Sequence, residues 1–331
     1  MKPYILVALP IAAFLVSVFI GRYEISLETG FHILASRLLP VHPTWSEIEE
    51  SIILNIRFPR AILAMLVGAS LALSGAAFQG LFKNPLVSPD ILGVSAGAGF
   101  GACLGILLSG KALTVQLLAF AFGIIAVFGA YLISRRKKGN SLLMLVLVGV
   151  ISSSFFSALI GLVKYVADPD EQLPTIVYWL MGSLAGISMK DVWLGAPPII
   201  VGCATLLVLR WRINVLSLGE EEAQSLGVDT KWLKLVIVTA ATITIAASVS
   251  LCGIVGWIGL VIPHIARMIV GPDHRKMLPA CISIGAFSLL AIDDIARIAT
   301  TVEVPLSILT AIVGAPFFAY LLRKTGGRWT Y

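Results

Sequence analysis

Eight stretches of sixteen or more residues contain no Asp, Glu, Lys, Arg or His: 61–82, 91–110, 112–134, 141–163, 192–209, 235–263, 277–292 and 304–322. A ninth apolar run, Tyr4 to Ile20, follows Lys2. At about 1.5 Å rise per residue, roughly 20 apolar residues cross the hydrocarbon core of a bilayer. The chain therefore reads as an all-α polytopic membrane protein. A proton- or ion-driven pump keeps acidic or histidine residues inside its spans to carry the coupling charge, and these spans hold almost none.

With 58% hydrophobic and only 13% charged residues, no part of the chain has the make-up of an ordinary soluble domain, so residues 1–331 form a single transmembrane domain. The 235–263 stretch is too long for one span. Gly253, Gly256 and Gly259 mark a re-entry that divides it into a helix ending near Leu251 and a short helix from Trp257 to Val270, giving ten helices. With the N-terminus inside, 16 of the 24 basic residues fall in inner loops, as the positive-inside rule requires. Both termini are then cytoplasmic, and the net charge of +6 is a signature of membrane orientation rather than of nucleic-acid binding. Gly21, Arg22, Tyr23 and Glu24 offer no small-x-small cleavage site, so the first span is retained. Cys103, Cys203, Cys252 and Cys281 stand singly in apolar sequence and read as buried side chains, not metal ligands.

Residues 21–60 are polar enough to lie on the outer membrane surface. The second helix carries Gly68, Ala72, Ala76 and Gly80, and the third Gly93, Gly97, Gly101 and Gly105, each set four residues apart. Such faces let backbones approach closely in lipid, so both helices are expected at tight contacts. Gly97–Gly101 and Gly105–Ala112 have a superficial likeness to nucleotide loops. They lack the preceding strand, and the second also lacks the Ser or Thr that would hold magnesium. No nucleotide or other cofactor site is expected. Proline-containing breaks at Phe82–Asp90 and Ile262–His264 fall in corresponding places of two five-helix halves. An odd number of spans per half makes this an inverted repeat.

The inner loop 212–229 departs from the inside-positive trend. Gly219 followed by Glu220, Glu221 and Glu222 reads as the start of a short helix whose acids face the positive end of the dipole. Gly227 stops it, and Asp229 caps the next span. A linker needs none of this order, which favours a docking element for a cytoplasmic partner over a bland surface helix.

Taken together these residues resemble the FecCD-type permease family, the membrane subunits of ABC importers for iron-siderophores, haem and cobalamin. The matching elements are Arg57–Arg60, Gly68–Gly75, Asn84–Leu86, Leu92–Gly97, Tyr178–Ser183, Leu218–Gly227, Gly256–His264, Val304–Leu306 and Val313–Pro316, in order along the chain. The resemblance implies a type II importer architecture. It pairs two permease subunits, as a homodimer, around one path, with two cytoplasmic ATP-binding subunits below and a substrate-binding protein above, in a prokaryotic inner membrane. ATP and magnesium would bind the partner ATPase. By the same comparison Leu218, Gly219, Glu220, Glu221, Glu222, Ala223, Leu226 and Gly227 form the ATPase-coupling segment. Asn84, Leu86, Asn140 and Ser141 sit at the cytoplasmic gate. Ser152, Ser153, Ser154 and Ser157 line the path, unless they bond the preceding turn of their own helix. Arg57, Arg60 and Arg297 receive carboxylates from the binding protein, a task suited to the planar guanidinium fork, unless they pair with Asp293, Asp294 and Glu303.

A secondary transporter or channel would need an ion-coupling residue or a filter in the spans, and only Asp293, Asp294 and Lys164 come near, at outer helix ends. An intramembrane enzyme lacks a paired nucleophile and base. A mostly uncharged path suits a bulky metal chelate, and the same architecture could carry an oxyanion such as molybdate.

Overall fold

The computed structural model describes residues 3–37, 39, 42–134 and 141–325. Among the described residues six helices are long and apolar enough to span a membrane, and four shorter apolar ones accompany them. The ten are α1 (Pro3–Phe19), α4 (Phe58–Phe82), α5 (Val94–Leu108), α6 (Ala112–Ser134), α7 (Ser141–Val166), α9 (Met189–Val208), α12 (Thr230–Cys252), α13 (Ile258–Val270), α14 (His274–Ile298) and α15 (Leu306–Thr325). Short helices α2 (Leu27–Ala35), α3 (Glu47–Ser51), α8 (Gln172–Leu180), α10 (Arg210–Leu218) and α11 (Glu220–Ser225) connect them. The expected division of 235–263 holds: α12 ends at Cys252 and α13 starts at Ile258.

The second span starts earlier than its charge-free stretch. A capping box between Ser46 and Glu49 opens α3, a π-helical turn covers Ile52–Arg57, and the chain continues into α4 without a break. Pro59 explains the wide turn. A proline ring collides with the carbonyl four residues back and donates no hydrogen bond; a π turn just before it keeps the chain helical. The surface segment expected over 21–60 therefore loses its last fourteen residues to the helix, and Arg57 and Arg60 are carried into the protein.

The two small-residue faces do not meet each other. Those of α5 pack on α6, where a Cβ at Gly97 would stand 2.5 Å from the Phe122 carbonyl oxygen and one at Gly101 2.2 Å from that of Leu118. Those of α4 pack on α14, with Gly68 and Gly285 in mutual backbone contact. Gly93 belongs to neither set. Its φ of 85° ends a 3-10 turn, Pro89–Leu92, against Ser152 and Ser153 of α7, a left-handed position that glycine occupies without a steric penalty.

Helix pairing repeats between the halves: α4 packs on α14 and α13, and α12 on α6 and α5. The exchange of partners is what two inverted five-helix units produce. Each half also has a short helix after an irregular segment, α5 after 83–93 and α13 after 253–257. Pro263, read from sequence as the second break, lies inside an uninterrupted α13. The break sits earlier, where Gly253 and Trp257 both take positive φ. Trp257, with φ of 68°, is held there against Gly314 and edge-on to Phe318 of α15.

Candidate functional site

Chemistry gathers at the two ends of the bundle. At one end the C-termini of α1 and α14 meet the N-terminus of α4, and four arginines converge. Arg60 is 4% exposed and Asp293 fully buried. Arg60 Nε donates to Asp293 Oδ2 at 2.9 Å, and Nη2 to Oδ1 at 2.8 Å. Its outer edge holds Glu303, with Nη1 to Oε1 at 2.8 Å and Nη2 to Oε2 at 2.9 Å. Arg297, one turn beyond Asp293, donates to Ser17 Oγ at 2.9 Å and to Asp294. Arg57 spends its donors on carbonyls at and just past the end of α1, those of Val18, Phe19 and Tyr23. Gly21 makes room for it, since a Cβ there would stand 2.5 Å from the guanidinium.

The arginines are engaged within the chain itself. Arg60 and Arg297 pair with Asp293, Asp294 and Glu303, and Arg57 closes the end of α1. None presents an open fork outward. The exposed cation of the group is Arg22, which donates to the carbonyls of Arg297, Thr300 and Thr301. Sequence reading passed it over because it stands alone in a polar stretch.

At the opposite end, α10 and α11 project beyond the spans. Gly219 precedes α11, Gly227 takes φ of 78° after it, and the Asp229 carboxylate accepts from Trp232 N–H at 3.0 Å to cap α12. The expected order of this segment is thus present. Ala223 is buried beneath α11, whereas Leu218 and Leu226 are 66% and 59% exposed, flanking the exposed Glu221 and Glu222. The three acids divide their labour. Glu220 turns toward α12, taking a hydrogen bond from Lys234 Nζ at 2.5 Å and one from Thr230 Oγ1 at 3.2 Å. Lys234 is the chief cause of the Glu220 carboxyl lying below its ordinary pKa.

Glu220 and Lys234 line a cleft of about 430 Å³ whose opposite wall is the loop after α4, including Lys83, Asn84 and Val87. Leu142, Leu143 and Val146 of α7 and Leu216 of α10 complete it. The loop is firmly built. Asn84 Oδ1 accepts from Leu86 N–H at 2.9 Å, and His264 Nε2 contacts the Pro85 carbonyl oxygen at 2.9 Å. Leu86 is exposed at its tip. Ser141 opens α7, and Asn140 lies outside the described residues. The four serines of α7 split into two pairs. Ser152 and Ser153 face Gly93, and Ser152 also bonds the Ala126 carbonyl of α6 at 3.3 Å. Ser154 and Ser157 are exposed, with Ser154 bonded back to the Val150 carbonyl.

Comparison with known proteins agrees with this geometry. Residues 8–324 match the model of the FecCD transport family. A molybdate import system permease protein of Haemophilus influenzae is 41% identical over 313 residues, 93% of this chain and 91% of that protein. A Helicobacter pylori protein named as an iron chelatin transport system permease is 44% identical over 276 residues, 83% of each chain. Among solved structures, a metal-chelate type ABC transporter in an inward-facing conformation superimposes with a TM-score of 0.87 at 38% identity. The match covers 97% of this chain and 98% of that one.

Proposed function

The chain belongs to the FecCD transport family, and from that membership we propose its place in a complete importer. It is the membrane permease of a binding-protein-dependent ABC system. Two copies enclose one path in a prokaryotic inner membrane, with the α11 end and both termini in the cytoplasm. A separate subunit binds ATP and magnesium, since the chain itself is a permease and not an enzyme. The cargo is a metal chelate of the iron-siderophore, haem or cobalamin class.

One observation carries the reading: a single cleft brings the loop of Asn84 and Leu86 together with the first residue of α11. A gate and an element exposed to a motor subunit face each other across one cleft, as a transporter driven from outside its own chain requires. The exposed Leu218, Leu226, Glu221 and Glu222 form the contact with the ATPase. Ser154 and Ser157, on the exposed face of α7, line the path between the two copies. At the outer end, a docking role for Arg57, Arg60 and Arg297 requires the binding protein's carboxylates to compete with Asp293, Asp294 and Glu303.

Reconstitution with the ATPase and binding protein tests the assignment. ATP-dependent uptake of a ferric siderophore, haem or cobalamin into proteoliposomes is the expected result. Uptake of molybdate alone would transfer the cargo to the oxyanion class, and uptake without ATP would overturn the ABC assignment.

A further inference from the structure

Lys234 enters α12 only one turn from its start, yet it is 7% exposed. A buried ammonium is costly unless it is paired, and Glu220 at 2.5 Å supplies the charge. The two belong to different helices. Glu220 is the first residue of α11, and Lys234 stands one turn after Thr230, which also bonds Glu220. Gln224, further along α11, donates to the same Thr230 hydroxyl at 3.0 Å. Every polar tie in this set runs from α11 to the first two turns of α12. Meanwhile the outer faces of α11, Glu221 and Glu222 with Leu218 and Leu226, are left exposed.

α12 is no peripheral helix. It packs on α4, α5, α6 and α9, and at its far end the Cys252 carbonyl accepts from Ser183 N–H at 2.8 Å. Its start forms the wall of the cleft that faces Lys83 and Asn84. A load placed on α11 therefore has two routes: bending the residues 226–229 that join it to α12, or displacing α12 as a body. Gly227, with nothing within 4 Å of its Cβ position, resists bending little. The polar clasp closes that soft route.

We propose that Lys234, acting through Glu220, is a positioning residue for energy coupling: it locks α11 to α12 so that movement of the ATPase reaches the cleft beside Asn84. The inference rests on the importer reading above. Without the clasp, α11 still docks but swings on Gly227, and hydrolysis continues with little transport.

The test uses the reconstituted full complex and reads three quantities: ATPase retained on the permease, ATP hydrolysis, and cargo taken up per ATP. Lys234→Gln and Glu220→Gln should keep the ATPase and its hydrolysis while uptake per ATP falls about tenfold, a typical size for coupling between sites. Lys234→Arg, and the exchanged pair Glu220→Lys with Lys234→Glu, should recover much of the ratio. A purely structural pair would lower assembly or melting temperature and leave uptake per ATP unchanged. That result overturns the proposal, as does an exchanged pair no better than the single variants. Should either single variant fail to insert, Glu220→Gln with Lys234→Gln decides, since the double variant removes both charges of the pair and leaves neither buried alone. Failure of the parent chain to retain any ATPase would instead overturn the importer reading.

Discussion

Arg60 grips Asp293 with two nearly parallel hydrogen bonds across 233 residues of sequence, joining the first turn of α4 to the last turns of α14. Both charges are withdrawn from solvent and tolerable because they are paired, Asp293 with Arg60 and Arg297, and Arg60 also with Glu303. Removing one partner of an isolated buried pair typically costs about 3–5 kcal/mol, an upper bound here because Glu303 and Arg297 remain beside the survivor. Asp293→Asn and Arg60→Gln should each markedly lower the melting temperature in detergent, and the double variant should cost less than their sum. The exposed pair Arg37–Glu50, at 62% and 36% side-chain exposure, is the control, worth at most about 1 kcal/mol. An Asp293→Asn protein that melts with the parent would remove the network from the account of stability. The same geometry changes how docking is tested. Charge reversal at Arg60 would set a new acid against Asp293 and Glu303, so lost uptake could not be credited to the binding protein.

Close helix contact makes a second, independent prediction. Gly101→Ala would place a methyl group 2.2 Å from the Leu118 carbonyl oxygen of α6, and Gly68→Ala one 2.2 Å from that of Gly285. Backbone cannot yield as a side-chain tip can, and overpacking costs typically about 1–3 kcal/mol. Gly129→Ala and Gly161→Ala meet nothing within 4 Å and should leave thermal stability unchanged or slightly raised. Equal melting behaviour in all four variants would show that the α5–α6 and α4–α14 contacts are looser than described.

How far the sequence reached depended on whether the signal was local. The ten apolar helices were legible because desolvation forbids charges over long runs, and α11 was legible because Gly219, the three acids, Gly227 and Asp229 act within a few residues of one another. What escaped was pairing at long range. Nothing near Arg60 announces Asp293, and nothing near Glu220 distinguishes it from Glu221 and Glu222 until Lys234 is brought beside it. Small-residue spacing likewise marked close contact without naming the partner, which is α14 for α4 and α6 for α5. The two prolines, Pro59 and Pro263, differ in how the helix meets them, and only Pro263 was read as a break. A π turn accommodates the first and α13 simply runs through the second.

The ion pair between Glu220 and Lys234 sets the sign of a pH effect. Lys234 depresses the Glu220 pKa below the usual glutamate value of 4.5, so the pair stabilises the folded chain above that value. The contribution is lost as pH falls through the lower, folded-state pKa. Comparing the parent with Glu220→Gln, the difference in unfolding free energy should be flat from about pH 7 to pH 5 and close only in more acid solution. The effect is modest, because Glu220 is partly exposed and solvent screens it. A difference that widens on acidification would mean that the protonated carboxyl is the form the folded chain prefers.

Leu218 and Leu226 bracket an acidic surface on α11 and stand largely exposed among the described residues. Apolar side chains left in water beside a charged rim are the make-up of an interface core. Truncating such a core residue commonly costs about 1–4 kcal/mol of binding, whereas its loss from a surface barely changes folding. Leu218→Ala with Leu226→Ala should therefore weaken retention of the ATPase without lowering the melting temperature. Glu221→Lys with Glu222→Lys should do the same through charge, with the greater effect at low salt. These variants fail at assembly, whereas the Lys234 variants fail after it, so pull-down of the ATPase from solubilised membranes separates the two steps. Full retention in both double variants, alongside normal uptake, would place the motor contact elsewhere on the chain.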